Sequence, residues 1–153
     1  MYTKGEASQL RQAFWTAFGQ YIAPHPSDEG LKVNWINYNT GFKSVYFRMQ
    51  ADSRKASIGI ELSHADVEIQ QMFFEQFLAL KNVLHQILGE EWRWLLHTKD
   101  QKNKTFSRIY KELSPVNIFN KDEWPDLISF FKPRIIALDE FWIDAKYSFE
   151  NLR

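Results

Sequence analysis

The spacing of apolar residues changes twice along this chain, from every third or fourth position to every second and back again. No other feature restricts the fold as much. Residues 3–22 carry Ala7, Leu10, Phe14, Ala17, Phe18 and Tyr21 at helical spacing, which predicts an amphipathic helix. Pro24, Pro26 and Gly30 then break the pattern and predict a loop. From Lys32 the period is two. Val33, Trp35 and Asn37 alternate with Asn34 and Ile36, and Val45, Phe47 and Met49 alternate with Tyr46, Arg48 and Gln50. Ala56, Ile58, Ile60 and Leu62 alternate with Ser57, Gly59 and Glu61. Turn residues at Asn39-Thr40-Gly41 and at residues 51–55 separate the three runs. They predict a three-strand antiparallel meander with one face buried.

The helical period returns after Ser63 or Asp66, either of which suits an N-cap. Ile69, Phe73, Phe74, Phe77, Leu80, Leu84 and Ile87 predict one central helix reaching Leu88, with Gly89 as its stop. Residues 92–96 and 106–113 read as two further strands around a polar loop. Asn120 and Glu123 have capping-box spacing and open a last long helix. Its apolar face carries Trp124, Leu127, Phe131, Ile135, Leu138, Trp142 and Phe149. Pro125 falls in the first turn at no cost, whereas Pro133 predicts a kink or a split. The expected order is α-β-β-β-α-β-β-α. That is an α+β class: one domain over residues 1–153, with an antiparallel sheet packed against long amphipathic helices.

With 13 Phe, 6 Trp and 6 Tyr in 153 residues, the chain can build a core without metals or disulfides. It has no cysteine, which removes thiolate nucleophiles and Cys-ligated zinc. Lys and Arg number 19 and Asp and Glu 19, a formal charge of zero that weighs against a general duplex-DNA binder. No secretory leader opens the sequence, and no 18-residue apolar run could span a membrane, so a cytoplasmic location and no membrane partner are expected. The six glycines stand apart, without a phosphate-cradling loop, and there is no Gly-x-Ser-x-Gly elbow. His25, His64, His85 and His97 show no metal spacing. Glu61 lies on a strand without the lysine a metal-dependent nuclease places two positions later, and Asp144 and Lys146 have that spacing on a helix. No catalytic residue, metal site or cofactor is expected.

Three constellations remain. The first is the sheet face opposite the core, with Tyr46, Arg48 and Glu61, joined by Arg108 and Tyr110 if their strand lies nearby. It reads as a polar pocket for a charged ligand or base, or as a plain cross-strand ion pair. An enzyme using Arg48, Glu61 and Tyr46, with His64, is the most remote reading of this face. The second is the segment over residues 92–111. Between His97 and Lys111 it holds Lys99, Lys102, Lys104, Arg108 and Lys111 against Asp100 alone, a local net of +4. Trp92 and Trp94 lie just before it. Rings beside a basic loop suit single-stranded nucleic acid rather than duplex, while their i, i+2 spacing equally suits two core tryptophans. The third is the helix edge carrying Phe130 and Phe141, either an interface with a protein partner or second copy, or more core.

A set of local sequences carries a family resemblance. Phe14-Trp15, Val33-Asn34-Trp35, Val45-Tyr46-Phe47-Arg48-Met49 and Ile58-Gly59-Ile60-Glu61-Leu62 are followed by Glu91-Trp92, Ser107-Arg108-Ile109 and Glu123-Trp124-Pro125. With the final amphipathic helix these resemble the bacterial domain-of-unknown-function family 4268, from about Leu10 to Phe149. The pattern is one of strands and tryptophans, so it specifies fold more than chemistry. Members of that family often stand C-terminal to a nuclease-like domain. The resemblance therefore implies a non-catalytic accessory or binding module associated with nucleic acid or with a nucleic-acid-processing partner, and brings no active site with it.

Overall fold

The computed structural model describes residues 2–153. Helix α1 (Lys4–Ile22) starts where the Thr3 hydroxyl accepts the Glu6 amide at 3.1 Å, and it buries Phe14, Phe18 and Ile22 along one stripe. Strands β1 (Val45–Ala51) and β2 (Ala56–Leu62) form a hairpin whose turn is tied by the Asp52 carboxylate to the Arg54 and Lys55 amides. Asp66, one of the two expected caps, opens α2 (Val67–Ala79). Helix α3 (Lys81–Leu88) follows and ends at Gly89 with φ of 73°. Strands β3 (Arg93–Lys99) and β4 (Thr105–Leu113) form the second hairpin. Helix α4 (Trp124–Ala145) and a terminal 3-10 segment (Lys146–Leu152) complete the chain.

The four strands make one antiparallel sheet in the order β1-β2-β4-β3. One face is apolar: Val45, Phe47, Ile58, Ile60, Leu62 and Ile109 pack against Phe73, Phe77, Trp142 and Phe149 from the helical layer. The α+β class and the single antiparallel sheet are as the residue periods predicted. Three details differ.

The first expected strand, at Val33, Trp35 and Asn37, is instead an ordered loop. Its alternation records anchoring, not a ladder. Trp35 is buried and donates its indole N–H to the His25 carbonyl at 3.1 Å. The Tyr38 hydroxyl donates to the buried Asp139 of α4, whose other oxygen accepts the Asp28 amide at 2.9 Å. Burial first, and then the Asp139 hydrogen bond and charge, hold the Tyr38 phenol well above its ordinary range. The Trp142 indole donates to the Thr40 carbonyl at 2.8 Å. Local bonding, such as the Asn37 amide to the Asn34 side chain at 3.1 Å, diverts the backbone from sheet pairing.

The expected central helix is two helices. Leu80, at φ −103° and ψ 12°, leaves helical geometry, and its amide bonds the Phe77 carbonyl. Neither glycine nor proline marks the break. It lets α2 face the sheet while α3 packs on α4. Pro133, in contrast, does not split α4, which is helical throughout. The Phe130 and Phe141 edge, read from the sequence as either an interface or more core, is core, at 5% and 2% exposure.

Candidate functional site

Strand alternation sends Tyr46, Arg48 and Gln50 of β1 to the sheet face away from the helices. Glu61 lies beside Tyr46 in the β1–β2 register and beside Arg108 in the β2–β4 register. Arg108 and Tyr110 share this face, as does Phe106. The first constellation is therefore assembled across three adjacent strands.

Arg48 donates through Nε to Glu61 Oε1 at 3.1 Å, and its guanidinium stands 4.5 Å from the Tyr46 ring centre. The arginine side chain is 48% exposed and the glutamate 20%, so this is an open ion pair of small energetic worth. Arg108 is held differently. Its guanidinium lies 3.6 Å from the centre of the buried Tyr110 ring, which Arg93 approaches at 5.4 Å. Among the described residues, no carboxylate pairs with Arg108, and its buried Nε has no hydrogen-bond partner. Arg108 is thus a cation held against a ring, with no ion pair among the described residues although Glu61 neighbours it in the register.

Gly59 makes this stack fit. It sits opposite Tyr110 in the register, and a Cβ there would stand 2.7 Å from Tyr110 Cβ. The glycine was visible in the sequence, but its partner was not.

The second constellation turns onto the same face. Asp100 Oδ1 accepts the Lys102 amide at 2.8 Å and the Lys104 amide at 2.9 Å, closing the β3–β4 turn. Lys99 donates to the Thr105 hydroxyl at 2.7 Å. The exposed Lys99, Lys102 and Lys104 thus rise from a fixed turn beside Arg48, Glu61 and Arg108. They line one open groove of about 590 Å3, with Phe106 and Gln50 between them. Five cations against Glu61 and Asp100 leave the groove a local net of +3. Two features that were separate in the sequence are one surface in the fold.

The tryptophans are not part of it. Trp94 pairs with Ile109 on the helix-facing side, meets Phe74 edge-on at 5.7 Å, and donates its indole N–H to His85 Nε2 at 3.3 Å. Trp92 is 5% exposed and donates to Glu90 at 2.8 Å. Glu90 also takes a two-pronged ion pair from Arg134 of α4. Trp92 belongs to the core and the half-buried Trp94 packs against it, the plainer of their two readings, and Phe106 is the ring that lines the groove. His64 also lies apart from this chemistry: its Nδ1 accepts the Asp66 amide at 3.0 Å ahead of α2.

Among the described residues no cluster of His, Asp and Glu could hold a metal ion, and no helix is long and apolar enough to cross a membrane. A family model described as a domain of unknown function, DUF4268, matches residues 10–146. No curated protein and no solved structure matches the chain.

Proposed function

The chain belongs to the DUF4268 family, and from its geometry we propose that it is a non-catalytic binding module for single-stranded nucleic acid. The single observation that carries this reading is the groove itself. It joins the lysines of the β3–β4 turn to the unpaired, ring-stacked Arg108 on an open sheet face. Single strands are bound by a cationic track for the backbone with rings beside it for bases. Arg108 and the three lysines supply the track. Phe106 within the groove supplies one ring, and Tyr46, 38% exposed and in contact with Arg48 of the groove, supplies another. A four-stranded sheet with helices on one face and bases laid on the other is a recurrent design for single-stranded RNA.

Charge favours single strands over duplex. A net of +3 confined to one groove suits a short single-stranded segment, whereas wrapping duplex demands a wider basic surface. The test is charge reversal at the turn, where the side chains are exposed and the fold is held by the backbone and Asp100. Lys102→Glu with Lys104→Glu is expected to abolish retention of single-stranded DNA or RNA. Retention equal to the wild type would remove the groove from the account.

A further inference from the structure

The sheet has two free edges, and they differ. At β3 the pairing with β4 shifts register between Leu95 and Thr98, and His97 there has φ of 53°. Such a bulge disrupts the edge and discourages another strand from adding to it. At β1 all seven residues pair with β2 in unbroken register.

The hydrogen-bonding phase of β1 is fixed at both ends. The Asp52 amide bonds the Lys55 carbonyl, and the Ser63 amide bonds the Ser44 carbonyl. Alternation between these two points makes Tyr46, Arg48 and Gln50 the residues that bond β2. The N–H and C=O groups of Phe47 and Met49 therefore point out of the sheet. Among the described residues, nothing outside the ladder bonds them.

Along this stretch runs a second groove, of about 470 Å3, walled on the helix side by Trp15, Ile36 and Tyr38. A bare strand edge beside an apolar wall has the elements of peptide recognition by strand addition. The face toward Arg48 is different in kind. Arg48 engages Glu61 through Nε alone, leaving its terminal amino groups toward solvent, and the cationic groove lies just beyond.

We propose that β1 accepts an extended peptide of a protein partner as an antiparallel fifth strand, with apolar and acidic residues alternating along it. Residues opposite Phe47 and Met49 would share their side of the sheet and meet Trp15, Ile36 and Tyr38. Residues opposite Arg48 would lie on the open face, where a carboxylate complements the guanidinium. A second copy of this chain fits less well, because its own β1 brings Tyr46, Arg48 and Gln50 to the open face and no carboxylate to meet Arg48.

The test uses a fluorescein-labelled heptapeptide of alternating valine and glutamate, titrated by anisotropy against the full chain. Replacing glutamate by lysine should weaken binding by about tenfold or more. In antiparallel pairing the valines, opposite Phe47 and Met49, make the backbone bonds. N-methylation of the valines should therefore abolish binding, while N-methylation of the glutamates should leave it intact. Met49→Pro removes an outward N–H that the ladder does not use. It should abolish peptide binding and leave single-stranded oligonucleotide binding unchanged. No binding of the parent peptide at about 1 mM, about a 4 kcal/mol interaction, would overturn the proposal. So would equal or reversed effects of the two N-methylations. A chain that is dimeric and becomes monomeric on Met49→Pro would assign the edge to a second copy and overturn the peptide assignment.

Discussion

At Gly59 the sheet has no room for a side chain. A Cβ would stand 2.7 Å from Tyr110 Cβ and 2.8 Å from the Ile109 carbonyl oxygen, so the neighbouring strand's backbone would have to move. The Gly59→Ala change is expected to destabilise the protein by about 1–3 kcal/mol through overpacking, read from urea denaturation. It should also weaken oligonucleotide binding, because Tyr110 carries Arg108. A fully stable variant would mean that the β2–β4 spacing is looser than described. At this scale residue types were legible but most neighbours were not. Arg48 with Glu61 was legible because a tight hairpin sets their register locally. Arg108 beside Glu61 was legible only on the condition that their strands adjoin, since that register joins residues 47 positions apart in the chain. Asp139 gave no signal at all: a carboxylate in a helix reads as solvent-facing until the residues 23–44 loop folds over it.

Between elements, the link from α3 to β3 carries the clearest pH dependence. His85 Nε2 accepts from the Trp94 indole at 3.3 Å and from the Trp92 amide at 3.4 Å, which requires an unprotonated nitrogen. Burial first, and then the Lys81 charge, lower its pKa from the ordinary 6.5, with Glu91 opposing. The unfolded chain therefore takes up this proton before the folded one does. Stability from His85 is complete above 6.5 and declines as pH falls through that value toward the lowered folded pKa. Urea midpoints measured from pH 8 to pH 5 should fall on the acid side, and His85→Gln should flatten that part of the curve. Superimposable wild-type and variant profiles would contradict the assignment. Elements were legible where burial and hydrogen bonding coincide, as in α1, β1, β2 and α4. They were misread where the two part company. In the residues 23–44 loop, alternate burial comes from side-chain anchors, and at Leu80 the helix breaks because α2 and α3 pack on different layers.

Over the whole molecule, a formal charge of zero conceals an uneven distribution. The groove holds a net of +3, so the rest of the chain carries −3. Balance over the full sequence weighs against broad duplex binding. The class and sheet were readable from apolar periods, because burial on one face of every strand leaves a mark in each. The joining of the two polar constellations was not readable, because it depends on β4 inserting between β2 and β3. The most direct measurement is fluorescence anisotropy of a labelled single-stranded oligonucleotide across a salt series, with its duplex alongside. Three to five phosphate contacts predict a slope of log K against log salt of about −2 to −3.5 for the single strand, with weaker duplex binding. Absence of binding at low salt, or a duplex bound as tightly with the same slope, would contradict the account.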